Sequence, residues 1–278
     1  MNAAEICDID SVIFIEPLYA DLPYAEMDNL LLQEASDTAK IVIDEHDDLL
    51  AVAFQTDKGW VASSFHLRNP SMELISQLEE AEAEIYQEDR ETWETAVRAY
   101  YAESMMDTIS PGMEEMNPER VPLVRDLITT YLGDIKGEQI LDCCCGSGIG
   151  SLVMRELGAI PLAFDNDPEL ISRGLCSARI LPEQVVWIDG TELSLYTGRY
   201  STAIGLMLGE VNTLNRHIWQ TIIDEIIALS DRCLLTVGTK NETEIVIESA
   251  QAAGKKIIVD ENTRDPIYDR WVCFITDA

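Results

Sequence analysis

A chain of 278 residues, 47% of them hydrophobic, is long enough to bury a sizeable core in one or two domains. Its 51 acidic and 19 basic residues give a formal net charge of −32, which repels phosphate groups and disfavours an extended nucleic-acid interface. No apolar run is long enough to cross a bilayer and no signal peptide is evident, so we expect a soluble, cytoplasmic protein without a membrane partner. The acidity is typical of a salt-adapted proteome, with a basic partner or a cationic substrate as the alternative.

The cysteines predict reduced thiols rather than a disulfide framework. There are seven, and three of them are consecutive at positions 143–145, where ordinary disulfide geometry cannot link them. The sequence has no Cys-x-x-Cys pair of the kind that binds zinc. We therefore expect small core residues here and no metal site.

The N-terminal part of the chain predicts an α+β region. Val12–Ile15 has the composition of a short strand, and Met27–Ala35 that of a short helix. Alternating hydrophobicity then predicts an antiparallel meander of three strands at residues 40–44, 49–54 and 60–67.

Helical spacing follows the meander. Asn69-Pro70 predicts the start of a helix, and apolar residues keep helical spacing from Leu74 to Tyr86. After a break, the same spacing continues from Trp93 to Tyr100. Ser110-Pro111-Gly112 interrupts it, so we place a domain boundary there, between regions 1–110 and 111–278. The first region is expected to form a lid over a substrate or an oligomerisation surface.

The most informative stretch runs from Gln139 to Asp165 and predicts a strand, a glycine turn, a helix and a second strand. In a parallel strand–helix–strand unit, both strand ends and the helix N-terminus lie at one edge of the sheet, where ligands bind. Backbone N–H groups at such an edge attract anions, and an acidic residue that ends the second strand can accept hydrogen bonds from ribose hydroxyls.

This stretch resembles the first motif and the following acidic motif of the class I S-adenosylmethionine-dependent methyltransferases. The family pattern is two apolar residues, Asp, two variable positions and Cys-Gly-Ser/Thr-Gly. The matching run is Ile140-Leu141-Asp142-Cys143-Cys144-Cys145-Gly146-Ser147-Gly148. Asp165 follows at the distance that is usual in the family. Cys144 departs from the pattern, because family members commonly have glycine at this position.

The resemblance implies an α/β fold with a Rossmann-like, seven-stranded, mostly parallel sheet and an antiparallel C-terminal hairpin. Apolar runs predict the third, fourth and fifth strands at residues 185–188, 201–206 and 233–237. Two final strands are predicted at residues 256–259 and 270–276. The connection between them is too short for a crossover helix, so these strands must be antiparallel.

The resemblance also implies a set of residues that bind S-adenosylmethionine. They are Asp142, Cys144, Gly146, Ser147, Gly148, Asp165, Asn166, Asp189, Gly190, Leu206 and Tyr101. Asp165 is expected to accept from the ribose hydroxyls, and Asp189 from the adenine amino group. A side chain at Gly148 is expected to abolish binding while leaving the fold largely intact. Tyr101 is one of four candidates for a lid, the others being Tyr100, Met113 and Asn117, for which an aromatic core or a helix cap is the alternative.

The loop after the fourth strand is expected to face the methyl acceptor. Glu210 could hold a cationic substrate by charge, and His217 could act as a general base or lie on the outer face of the next helix. Asn212 is the third polar side chain in this part of the chain. The Asn/Asp-Pro-Pro-aromatic loop typical of amino methylation of bases is absent, which favours a small molecule or a protein side chain as substrate.

The leading hypothesis is an S-adenosylmethionine-dependent methyltransferase. One alternative is a protein that binds the cofactor or a partner without catalysis. The other is an NAD(P)-dependent oxidoreductase, which the glycine spacing disfavours because that class has Gly-x-Gly-x-x-Gly.

Overall fold

The computed structural model describes residues 1–113 and 116–277, and its contacts divide the chain into two units, Met1–Ser104 and Met105–Ala278. The elements that begin before the unit boundary are α1 (Ala3–Ile6), β1 (Val12–Phe14), α2 (Met27–Gln33), β2 (Thr38–Ile43), β3 (Leu49–Thr56), β4 (Gly59–Ser64), α3 (Met72–Glu80), β5 (Glu82–Gln87) and α4 (Arg90–Thr108).

The sheet of the first unit has the strand order β1-β4-β3-β2-β5. The three central strands form the predicted antiparallel meander, while β1 and β5 pair in parallel at its two edges. One face carries a core cluster that includes Leu31, Val52, Phe54 and Leu74, each almost fully buried. Alternation of apolar residues therefore predicted the meander, and the two edge strands extend it.

The prediction of one helix from Leu74 to Tyr86 is wrong. The helix begins after Ser71, whose hydroxyl accepts from the Leu74 N–H, and it ends at Glu80. Residues 82–87 form β5 instead. The reason lies in the neighbouring strand, where the largely buried Lys40 ammonium donates to the Tyr86 hydroxyl at 2.7 Å. The same ammonium pairs with the Glu84 carboxylate at 3.2 Å. Pairing of β5 with β2 overrides the local helical spacing.

The second unit contains the remaining elements. They are α5 (Arg120–Leu132), β6 (Gln139–Cys143), α6 (Ile149–Glu156), β7 (Ile160–Asp165), α7 (Pro168–Cys176), β8 (Val185–Trp187), β9 (Tyr200–Gly205), α8 (Arg216–Ala228), β10 (Ser230–Val237), α9 (Thr243–Ala252), β11 (Lys256–Glu261) and β12 (Trp271–Thr276). Helices α5 and α6 pack on the sheet through a core cluster that includes Val124, Leu127, Val153, Ile204 and Leu234.

The seven-stranded sheet has the order β11-β12-β10-β9-β6-β7-β8. Its strands are parallel except β12, which is antiparallel to both β10 and β11. The predicted fold class is therefore confirmed, including the C-terminal hairpin. The strand order reverses direction between β6 and β9, and ligands bind at such a switch point, outside the carboxyl ends of the strands.

Across the described ranges, no helix combines the length and the apolar character needed to cross a membrane.

Candidate active site

The glycine turn links β6 to α6 through residues in left-handed conformation. The φ angles are +52° at Cys144, +52° at Gly146 and +83° at Gly148. Two backbone hydrogen bonds hold the turn, from the Cys145 N–H to the Phe164 carbonyl and from the Gly148 N–H to the Cys145 carbonyl. In the family that this motif resembles, glycine is common at the position of Cys144. The left-handed φ explains this, because a residue with a Cβ costs about 1–2 kcal/mol of conformational free energy in that conformation.

Asp165 lies at the end of β7 and contacts this turn. The sequence predicted that the glycine turn and Asp165 would lie together at the carboxyl edge of the sheet. Its carboxylate accepts from the Gly146 N–H at 2.7 Å and from the Asp167 N–H at 2.9 Å. Burial raises the pKa of Asp165, and these N–H donors oppose the rise. Each oxygen accepts one of these hydrogen bonds, so the carboxylate can still accept from a ligand. Asn166, the next residue, is exposed at the same edge.

Asp142 lies beneath the turn, and its side chain is only 1% exposed. The Ser151 hydroxyl donates to its carboxylate at 2.5 Å. Gly150 allows this approach, because a Cβ at that position would lie 2.7 Å from the Asp142 carboxylate. Burial, together with the nearby Asp165 charge, raises the pKa of Asp142 to about 7. The observed contacts make Asp142 a residue that positions the first turn of α6.

Gly148 has a positive φ, and its surroundings argue against the expectation that a side chain would spare the fold. A Cβ at Gly148 would lie 2.8 Å from Ile180 Cδ1 and closer still to Ile180 Cγ1. At Gly146, by contrast, a Cβ would meet only Leu170, at 3.9 Å. Gly146 therefore faces open space, whereas Gly148 packs on the core. Ser147, between them, is buried.

Asp189 ends the segment after β8 and remains exposed. One of its carboxylate oxygens accepts from both the backbone N–H and the hydroxyl of Thr191, at 2.9 Å each. This caps the short 3-10 turn Gly190–Leu195 and leaves the other oxygen for a ligand. Gly190 has a packing role that its spacing did not indicate, since a Cβ there would lie 2.9 Å from the Phe164 ring.

Two predicted cofactor residues are core residues. Leu206, directly after β9, is 9% exposed and belongs to the cluster beneath α5 and α6. Tyr101 lies in the first unit, where its hydroxyl donates to the Glu16 carbonyl and its ring packs on Phe14 and Tyr19. This packing is that of the aromatic-core alternative, and a cofactor contact by Tyr101 stays a prediction.

The other lid candidates have different surroundings. Met113 is fully exposed, and the Asn117 side chain accepts from the Glu119 N–H just before α5. The segment before Met113 is bound to α7, because the Gly112 N–H donates to the Glu169 carbonyl at 2.8 Å. The Arg173 guanidinium donates to the Gly112 carbonyl at 2.7 Å. Gly112 thus lies against α7, the helix that follows Asp165.

The loop after β9 begins with a second strained residue, Met207, whose φ is +54°. Its N–H donates to the Thr236 hydroxyl at 2.6 Å, and that hydroxyl donates to the Asp269 carboxylate at 2.6 Å. Arg120 in turn donates to Asp269 at 2.8 Å. Sequence reasoning missed this buried chain, because its members come from α5, β10 and the β11–β12 connection.

A cavity of about 650 Å³ lies beside Met207, at the carboxyl ends of β9 and β10. Its lining comprises Met207, Leu208, Glu210, Val211, Asn212, Thr213, Arg216, Gly238, Thr239, Asn241, Glu242, Glu244 and Ile267. The structure thus places Glu210 and Asn212 together at this cavity. His217 is exposed on α8 and is not part of the lining, so its predicted role as a base is not supported.

Glu242 lines the cavity, and sequence reasoning did not predict its role there. Just ahead of α9, Thr239 and Glu242 exchange hydrogen bonds between their side chains and their backbone N–H groups. The Glu242 carboxylate accepts from the Thr239 N–H at 2.8 Å and from the Val211 N–H at 3.1 Å. One buried carboxylate therefore ties the loop after β9 to the loop after β10. The Thr-x-x-Glu spacing of a capping box was the available signal.

One trio of potential metal ligands occurs in the described part of the chain. Ligand atoms of Asp44, Glu45 and His46 lie within 4.8 Å of one another in the first unit. The Asp44 carboxylate, however, already accepts from Arg90 and from the N–H groups of His46 and Asp48. These hydrogen bonds account for the turn, and we assign no metal to it.

No protein-family model and no curated protein sequence matches the chain. Several solved structures resemble it. Magnesium protoporphyrin IX methyltransferase (ChlM) from Synechocystis PCC 6803, crystallised with bound SAM, has a TM-score of 0.46 and 18% identity, over 66% of this chain and 97% of that one. TrmN from Thermus thermophilus has a TM-score of 0.47 and 15% identity, over 57% and 49% of the two chains. A putative RNA methyltransferase, PH1948 from Pyrococcus horikoshii, has a TM-score of 0.45 and 12% identity, over 66% and 98%. The strand order described above, rather than these scores, establishes the fold.

Proposed function

We propose that the chain is an S-adenosylmethionine-dependent methyltransferase that acts on a small molecule or a protein side chain. The observation that supports this most directly is the meeting of the glycine turn with Asp165 at the carboxyl edge of β6 and β7. The motif from Asp142 to Gly148 that precedes Asp165 has the family's pattern, and the antiparallel hairpin of the resembled fold is present.

The residues at this edge fit the cofactor. Open space adjoins Gly146, so a ligand can approach the turn closely. Asp165 retains acceptor capacity for the ribose hydroxyls, and Asp189 has a free carboxylate oxygen for the adenine amino group. None of the described residues named at this edge is a lysine or an arginine that could bind a pyrophosphate. S-adenosylmethionine carries no phosphate, unlike the nicotinamide cofactors of the oxidoreductase alternative.

S-adenosylmethionine, when bound, supplies an already activated methyl group, so the work of the protein is mainly to position the acceptor. Holding two reactants at near-attack distance can contribute about 7–11 kcal/mol toward lowering the barrier. The loop from Met207 to Asn212 would perform this positioning, because it leaves β9 beside the glycine turn. In this proposal, Glu210 binds the acceptor. A general base is required only if the acceptor arrives protonated.

The test has two stages. Calorimetry with S-adenosylmethionine and S-adenosylhomocysteine should detect binding, whereas NAD⁺ and NADP⁺ should not bind. Cell extract is then incubated with the protein and methyl-labelled cofactor and fractionated into protein, nucleic acid and small molecules. Label is expected in the small-molecule or protein fraction. Binding without transfer to any fraction would favour the non-catalytic alternative, and NAD(P) binding alone would favour the oxidoreductase.

A further inference from the structure

The cavity at the ends of β9 and β10 has an unbalanced charge. Three carboxylates, Glu210, Glu242 and Glu244, line it, against a single guanidinium, that of Arg216. The Arg216 charge is already matched by Glu248 at 2.6 Å on α9. Within residues 1–113 and 116–277, none of the ion pairs supplies a cation to the three lining carboxylates.

Glu242 carries the strongest constraint. The residue is only 8% exposed, and its two oxygens accept from two backbone N–H groups, those of Val211 and Thr239. A carboxylate has about four acceptor positions, so two remain. Buried charges in proteins are normally paired, because an isolated charge away from water is costly. The carboxylate of Glu242 therefore has both the capacity and the physical reason to bind a cation at the cavity.

The rest of the lining defines the size and character of that cation. Met207, Leu208, Val211 and Ile267 give the cavity apolar walls. Its volume of about 650 Å³ is typical of sites for small organic ligands, which range over about 300–1,000 Å³. A Cβ at Gly238 would lie 3.6 Å from a Glu242 oxygen and 3.8 Å from the Met207 methyl group, so carboxylate and apolar wall meet at that point. A metal ion would leave the apolar walls unexplained.

We propose that this cavity binds the methyl acceptor, and that the acceptor is a small organic cation with an ammonium group and an apolar body. The ammonium group pairs with Glu242 and with the more exposed Glu210, while the body packs against Met207 and Ile267. The identification of the ligand as a methyl acceptor rests on the proposed function. The binding of a cation at this cavity does not depend on that function.

The first experiment measures charge selectivity on the wild-type protein. Matched compounds on the same frames serve as probes: phenethylamine, 2-phenylethanol and phenylacetate, and butylamine, butanol and butyrate. Calorimetry at pH 7 is run with and without S-adenosylhomocysteine. The amines should bind at least about tenfold more tightly than the alcohols, and the carboxylates should not bind. Equal affinity within each set of three, or no binding of any amine, overturns the inference.

The second experiment removes one charge at a time. Glu242→Gln should weaken amine binding at least about tenfold, because its carboxylate is desolvated. Glu210→Gln should weaken it about threefold, because that side chain is exposed. Glu261→Gln on β11 removes the same charge outside the cavity and serves as the matched control. Circular dichroism verifies the fold of each variant, and Glu210→Gln decides the matter if Glu242→Gln is not folded. A loss of affinity equal to that of the control in both cavity variants overturns the inference.

The two proposals fail separately. Amine selectivity without any S-adenosylhomocysteine binding would leave the cation site standing and refute the methyltransferase. S-adenosylhomocysteine binding without amine selectivity would refute the cation site alone.

Discussion

Asp142 and Asp165 belong to the same sequence motif and lie on adjacent strands, yet their surroundings differ. Asp142 is sealed beneath α6, with Ser151 as its hydrogen-bond donor. Asp165 accepts from two backbone N–H groups at the edge of the sheet and keeps part of its surface. The motif predicted that both would serve the cofactor. The structure separates a residue that shapes the turn from one that can reach a ligand.

Asp165→Ala should weaken S-adenosylmethionine binding by at least about 100-fold, because hydrogen bonds to a charged acceptor contribute roughly 1.5–3 kcal/mol each. Calorimetry on the folded variant measures the loss. Asp231→Ala is the control, since Asp231 is an exposed aspartate near the start of β10, at the opposite edge of the sheet. Affinity in Asp165→Ala equal to that of this control would refute the assignment.

Asp142 should make stability depend on pH. Its pKa is raised to about 7 in the folded protein, above the value near 3.9 of an unfolded aspartate. Between these two pKa values, Asp142 is protonated in the folded state and ionised in the unfolded state. The contribution of Asp142 to the free energy of unfolding is therefore present at low pH and is lost as the pH rises toward 7. In Asp142→Asn this dependence disappears. Relative to wild type, the variant should therefore gain about 2 kcal/mol in free energy of unfolding between pH 5.5 and pH 8.5.

Urea unfolding at the two pH values measures this gain, and the comparison is between differences, so a constant cost of the substitution cancels. The exposed Asp231→Asn variant should show no such trend. A difference between Asp142→Asn and wild type that is the same at both pH values would contradict the raised pKa.

At the scale of elements, the two sheets differ in how far the sequence predicts them. The second sheet followed from apolar runs, helical spacing and one short connection, because parallel strands joined by helices leave few arrangements open. In the first sheet, the sequence predicted the three central strands and a strand at Val12–Ile15, which contains β1, but it did not predict β5. Strand β5 was missed because Ala81, Ile85 and Tyr86 keep helical spacing. Its pairing depends on Lys40, which lies 46 residues before Tyr86 in the chain.

In the candidate site, too, the features within one contiguous stretch could be predicted, whereas contacts between distant segments could not. The glycine turn and Asp165 were predictable, because one contiguous stretch contains both. The support of Met207 was not, since Thr236 and Asp269 meet it only after the sheet has formed. Spacing also could not reveal that Gly148 and Gly190 pack on the core.

Alanine should mainly reduce stability at Gly148 and mainly impair cofactor binding at Gly146. Gly148→Ala adds overlap with Ile180 to the strain of a positive φ, so it should destabilise the protein by roughly 2–4 kcal/mol. Gly146→Ala adds only the strain, about 1–2 kcal/mol, but it places a methyl group in the open space beside the turn. We expect folded Gly146→Ala with impaired cofactor binding. Thermal unfolding and calorimetry measure both quantities, and greater destabilisation by Gly146→Ala would contradict the packing.

Thr236→Val should expose the role of the buried chain that supports Met207. Valine keeps the shape but leaves the Met207 N–H and one Asp269 oxygen without their partner, which costs about 1–3 kcal/mol for each buried group. Urea unfolding measures the loss. Thr276→Val, at the partly exposed end of β12, is the control and should stay within about 0.5 kcal/mol of wild type. A loss no greater than that of this control would show that the chain of hydrogen bonds does not stabilise the loop.

For the whole molecule, charge is the dominant feature. With 51 acidic and 19 basic residues, most carboxylates cannot have a cationic partner even if every basic residue were paired. Such a net charge disfavours the compact state through self-repulsion. It also raises the local concentration of cations, which is consistent with a cationic acceptor at the cavity beside Glu210 and Glu242.

Self-repulsion should make the protein more stable in salt. The Debye length falls from about 30 Å at 0.01 M to about 3 Å at 1 M ionic strength, so repulsion between unpaired carboxylates is screened. Surface ion pairs such as Arg199–Asp231 weaken too, but exposed pairs contribute only about 0–1 kcal/mol each. The midpoint of thermal unfolding should therefore rise by at least about 4 °C between 0.02 M and 1 M NaCl, equivalent to roughly 1–2 kcal/mol. Potassium chloride should produce the same rise, because screening depends on ionic strength and not on the identity of the cation. A midpoint that falls with salt would mean that ion pairs outweigh repulsion, and a rise with sodium alone would point to specific cation binding instead of screening.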